Sequence, residues 1–121
     1  LFRSAVSVAL DSLLTGKEAV PGAVSKGRFA LLERQPARRH ERFKRYAELY
    51  AVRSAIAHGG SADEGLTRIG GVASMLRDTH WVATQMLLLR ELVHPESDND
   101  MRDMWNGIQW GTIPWAHRLG Q

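Results

Sequence analysis

Helical periodicity punctuated by glycine and proline is the feature that most constrains this chain. Between Ala37 and His58, the residues Phe43, Tyr46, Ala47, Leu49, Tyr50, Ile56 and Ala57 recur at spacings of three and four. That pattern lines up apolar side chains on one face of a helix. Gly59 and Gly60 follow, and Gly59 is placed to end the helix in a left-handed conformation. A second run carries Leu66, Ile69, Val72, Ala73, Met75, Leu76, Val82, Met86, Leu87, Leu89 and Val93 before Pro95 stops it. No segment shows the sustained alternation of a half-buried strand. The expected fold is therefore all-α, a bundle of four to five helices with antiparallel main helices.

The remaining elements follow from the same signals. Phe2 to Leu14 has helical spacing with Gly16 as terminator, and Thr15 to Val24 reads as a loop containing Gly16, Pro21 and Gly22. Ser25 is expected to cap a short helix that runs to about Arg34 and buries Phe29, Leu32 and Ala30, with Pro36 interrupting it. Ser61 and Glu64 have the spacing of a capping box and predict the start of the helix that continues to Val93. Gly70-Gly71 marks a kink or a close helix crossing within it.

With 121 residues the chain holds one core. We place a helical domain at residues 1–95 and a tail at 96–121 that could fold back on it. The sequence begins at Leu1, so an upstream N-terminal domain is expected to be missing. Cysteine is absent, which removes disulfides and thiolate metal sites and fits a reducing, cytoplasmic location. No apolar run approaches the ~20 residues of a membrane span. His40, His80, His94 and His117 form no metal-ligand spacing, so neither a metal nor another cofactor is expected. His80 is expected to be a partly buried structural residue. Trp105, Trp110 and Trp115 lie five apart, and packing explains them better than base stacking.

The net charge is only +3, but its distribution is uneven. Lys26, Arg28, Arg34, Arg38, Arg39, Arg42, Lys44 and Arg45 face only Glu33 and Glu41 in the same stretch. Such a block either binds a polyanion through counterion release or forms a solvated helix face. Arg38, Arg42, Lys44 and Arg45 are the candidate substrate-binding residues for such a polyanion.

Chemistry concentrates at the end of the same helix. Arg53 can clamp a phosphate with two parallel donors, and His58 can move protons near neutral pH. Together they can handle a phosphodiester without a metal. The plainer alternative is an ion-pairing arginine and a histidine lying over the helix C-terminus. Arg53 belongs to the row Tyr46, Tyr50, Arg53, Ala57 and should emerge beside the apolar face. Residues five apart are offset by about 140° on a helix, so Arg53 and His58 cannot stack in one row. Either the helix unwinds at Gly59, or a second protomer completes the pair.

The string Leu49-Tyr50-Ala51-Val52-Arg53-Ser54-Ala55-Ile56-Ala57-His58-Gly59 resembles the Arg-x4-6-His signature of the HEPN superfamily, and most closely its Apea-like branch. Val8 to Leu14 is similar to the first helix of that branch, where Glu is commoner than Asp11, and Arg28 to Leu32 is similar to its second. The likeness spans roughly residues 5 to 90. Gly60 stands where members paired with a nucleotidyltransferase antitoxin commonly have tyrosine. The resemblance implies a homodimer that cuts RNA without a metal through 2'-hydroxyl attack, in prokaryotic stress or phage defence. In that scheme His58 is general base or acid, Arg53 stabilises phosphoryl charge, and Ser54 orients either group. The alternative it implies is a non-catalytic dimerisation or RNA-binding module of a larger protein.

Overall fold

The computed structural model describes residues 2–16 and 22–116, with side chains from residue 5 onward. Those residues form six α-helices and no strand: α1 (Phe2–Thr15), α2 (Gly22–Leu31), α3 (Arg39–Ala57), α4 (Asp63–Ile69), α5 (Gly71–Val93) and α6 (Asp98–Trp110). A 3-10 turn at Pro36–Arg38 leads into α3. The all-α expectation holds, with more helices than the four to five expected. No described helix is long and apolar enough to cross a membrane.

The extra helices have identifiable causes. Gly70 (φ 94°) and Gly71 (φ 83°) both take left-handed conformations, so the expected kink is a full break that separates α4 from α5. The acidic stretch after Pro95 holds α6, capped at its start by Ser97, whose hydroxyl accepts from the Asp100 backbone N–H at 3.1 Å. Asp98 and Asp100 in the first turn favour the positive end of that helix.

Four local expectations are corrected. Ser25 does not cap α2, which already begins at Gly22; Ser25 is buried within it and hydrogen-bonded to Tyr46. Gly22 to Val24 are accordingly helix rather than loop, while residues 17–21 lie outside the described residues. Ser61 does not cap α4 either, because buried Ala62 takes the cap position without a side-chain bond. His80 is exposed, and its carbonyl accepts from the Thr84 hydroxyl. His117 lies outside the described residues.

The main packing surfaces join α2 to α3 and α1 to α5. Phe29 stands at the centre, 5.3 Å from the ring centroids of both Tyr46 and Trp81. Val6, Leu10 and Leu14 of α1 join it with Leu49 and Val52 of α3 and Met75, Val82, Met86 and Leu89 of α5. Trp105 and Trp115 are buried, whereas Trp110 is 77% exposed. The buried stripe of α3 is Tyr46, Leu49 and Val52, a narrower face than the sequence implied, since Phe43 and Tyr50 are exposed at its margins. That rotation of α3 decides where Arg53 emerges.

Candidate functional site

Arg53 follows the last fully buried residue of α3, Val52, and emerges on the flank with its side chain 38% exposed. An acid meets it there. Asp11 of α1 pairs with it through Oδ2 at 3.3 Å, and the other carboxylate oxygen accepts from the Tyr46 hydroxyl at 3.3 Å. The guanidinium also sits 5.9 Å from the Tyr50 ring centroid. Burial, reinforced by the neighbouring Asp11 charge and hydrogen bond, pushes the Tyr46 hydroxyl up to about 12; Ser25 and Arg53 oppose that rise. Tyr46 is therefore a neutral donor that helps fix Asp11. Only about 10 Å³ of cleft remains beneath this group, room for no more than a water. Any substrate of Arg53 approaches from its outer side.

His58 caps the C-terminus of α3. Its backbone N–H donates to the Ser54 carbonyl at 3.0 Å, and Gly59 follows at φ 71°, the left-handed ending expected there. The imidazole is exposed. The helix stays wound through Ala57, so unwinding does not swing His58 round to Arg53. No hydrogen bond joins the two among the described residues: Arg53 meets Asp11, and the His58 backbone N–H meets the Ser54 carbonyl. Ser54 lies half-buried between them along the helix.

The basic block divides sharply. Arg42 donates through Nε to Glu33 at 3.1 Å and stacks its guanidinium 3.7 Å from the Trp81 ring centroid. Arg45 meets Asp78 at 2.8 and 2.9 Å and the Ser74 hydroxyl at 2.6 Å. Arg39 bonds the Glu33 carbonyl at 2.9 Å. Burial raises the Glu33 carboxyl, but the Gln35 backbone N–H and Arg42 outweigh it, and the group ends below the usual carboxylate range. Arg38, Arg42 and Arg45 share an open groove of about 590 Å³ with Glu33, Glu41 and Asp78, so its walls carry both signs of charge. Lys44 is exposed and lies outside that groove.

Asp11, Glu33, Ser74, Asp78 and Trp81 are the residues that sequence reasoning left unassigned. Asp11 carried a weak signal, as the acidic position in an otherwise apolar helix. The partners of Arg45 lie 29 and 33 residues away, where no local pattern reveals them. Among the described residues, no group of three His, Asp or Glu side chains is arranged to hold a metal. No family model, curated protein or solved structure matches this chain.

Proposed function

We propose that this domain is a HEPN-like, metal-independent endoribonuclease whose site is completed by two copies of the chain. The observation that carries the proposal is the pairing of a half-exposed, Asp11-anchored Arg53 with an exposed His58 on one helix end. Anchoring by Asp11 and Tyr46 sets the guanidinium before substrate arrives, which is how an electrostatic stabiliser avoids reorganisation cost. The offset of the two residues is resolved by symmetry: in a twofold dimer each Arg53 can face the partner's surface.

In the proposed reaction the 2'-oxygen attacks the adjacent phosphorus as His58 takes its proton. The bond to the 5'-oxygen breaks, and that oxygen collects a proton from the symmetry-related imidazole. The products are a 2',3'-cyclic phosphate and a free 5'-hydroxyl. Arg53 neutralises charge on the non-bridging oxygens, and Ser54 orients the pair. The setting that suits such an activity is cytoplasmic defence or stress response.

The Arg53–Asp11 ion pair favours a second reading, a non-catalytic dimerisation or RNA-binding module in which that charge is spent internally. Cleavage decides between them. Purified protein should cut single-stranded RNA in excess EDTA and leave cyclic-phosphate ends, and RNA with a 2'-deoxy at the scissile position should resist. Protein that binds RNA but cuts none would establish the module instead.

A further inference from the structure

Helix α5 turns one side to the core through Met75, Val82, Met86 and Leu89. The rest of its surface is not the polar face expected of a helix at a protein exterior. Leu76, Leu87, Leu88 and Leu92 are all exposed there, Leu87 at 70%. Single apolar residues are ordinary on a surface, but leucines gathered along one helix make a patch that a partner covers.

The charges among the leucines indicate which partner. Positions seven apart on a helix drift by only about 20°, so Arg77, Thr84 and Glu91 form one row down the outer side of α5. All three are exposed. By the same geometry Leu76 and Leu87 fall on one flank of the row, and Leu88 and Leu92 on the other. Arg77 and Glu91 make no hydrogen bond or ion pair among the described residues. They carry opposite charges and lie equally far from Thr84 along the chain. A second α5 laid antiparallel, with a twofold axis at Thr84, therefore brings each Arg77 level with Glu91 of the other copy. A parallel pairing in register would instead set like charge against like. Glu91 within the row also disfavours a nucleic acid or an anionic membrane, which select basic surfaces.

We propose that the outer face of α5 is a self-association surface on which two copies of this chain pair antiparallel about Thr84. The leucine flanks supply attraction by leaving water, and the crossed Arg77–Glu91 pairs fix direction and register. With 23 residues α5 is about 35 Å long. One helix face of that length lies at the small end of protein interfaces, so the pairing is reversible and depends on concentration. The contact uses neither Arg53 nor His58. It rests on no part of the ribonuclease reading and is separate from any meeting of the α3 ends.

The absence of cysteine makes this register directly measurable. Packed helices run about 8–10 Å apart with Cα atoms about 2.3 Å from each axis, so Cα atoms facing across the twofold axis lie within disulfide reach. Thr84→Cys is made in the full 121-residue chain and oxidised at micromolar concentration, with Asn106→Cys, an exposed position on α6, as the control. Thr84→Cys should form a disulfide-linked dimer at least ~10-fold faster than the control, because pairing raises the local concentration of its thiol. Adding Leu87→Gln and Leu88→Gln to Thr84→Cys should slow cross-linking at least ~10-fold. Adding Arg77→Glu instead should slow it roughly threefold or more, and a further Glu91→Arg should restore the rate by making the pair complementary again. All these positions are exposed, and circular dichroism checks that helical content is unchanged. Cross-linking of Thr84→Cys no faster than the control would overturn the proposal. So would a rate indifferent to the leucine changes, or a Glu91→Arg change that fails to rescue Arg77→Glu. Loss of RNA cleavage alone would leave it standing.

Discussion

The two ends of α3 carry the same kind of charge under opposite circumstances. At the N-terminal end Arg39, Arg42 and Arg45 are tied to Glu33, Asp78, Ser74 and backbone carbonyls. At the C-terminal end Arg53 keeps a single carboxylate partner and a 38% exposed side chain, and His58 stands free of the core. The lesson is that positive charge counted along a chain is not the charge a partner meets. Arginines matched by acids from other helices act chiefly as cross-braces. A cation partly exposed beside one fixed carboxylate keeps part of its guanidinium at the surface.

The strongest way to break that contrast is to delete each end in turn. Arg53→Ala and His58→Ala should each lower RNA cleavage by at least ~10²-fold, the scale of losing an oxyanion stabiliser or a proton-transfer group. Arg45→Ala should leave turnover within a fewfold of wild type in the same single-turnover assay. Equal losses at both ends would dissolve the distinction.

Stability should show the reverse ranking. Asp78→Ala strands a partly buried Arg45 and should cost about 1–3 kcal/mol in urea unfolding. Asp11→Asn keeps an acceptor for Tyr46 and unpairs a more exposed arginine, so its cost should stay below about 1 kcal/mol. A larger loss from Asp11→Asn would make the C-terminal end a brace as well.

RNA affinity measured against salt sharpens the picture within the basic block. Lys44 and Arg38 are exposed, whereas Arg42 and Arg45 are matched. Replacing Arg38 and Lys44 with glutamine should flatten the logarithmic salt slope by up to about 0.7 per lost phosphate contact. Replacing Arg42 and Arg45 should change it less. If the order is inverted, the groove beside Asp78 opens to RNA and its ion pairs exchange.

The smallest effect concerns pH. Because the folded Glu33 carboxyl lies below its ordinary value, its stabilising contribution is present above that value and fades as pH falls through the folded one. Stabilities of wild type and Glu33→Gln should therefore converge below about pH 4.5, as read by chemical denaturation across an acid series. A constant gap between them down to acid unfolding would show that Arg42 does not depend on the charge of Glu33.

Much of the helical framework was legible because its signals are local. Gly59 ends α3 and Pro95 follows α5 by backbone restrictions that need no knowledge of neighbours. The capping box at Ser61 misled for the complementary reason: Ala62 is buried, and that burial belongs to the fold rather than to the tetrapeptide. Helix α6 hid in a stretch whose acids suggested a polar tail, although Met104, Trp105 and Ile108 supply its buried face. Within the candidate site, the residue types and their angular offset were readable. The carboxylate that meets Arg53 was not.

The sequence by itself determined an all-helical chain, most of its stops, and the placement of Arg53 and His58 about 140° apart on one helix. Those properties depend on dihedral preferences and on repeats a few residues long. Only the tertiary structure decided which cations are matched, that Asp11 and Tyr46 stand behind Arg53, and that a buried indole donor lacks an acceptor. The reason is range: Arg45 finds Asp78 33 residues away and Arg34 finds the Trp115 carbonyl 81 residues away. Electrostatic and hydrogen-bond energies depend on distance in space, which the packing of helices sets and the order of residues does not reveal.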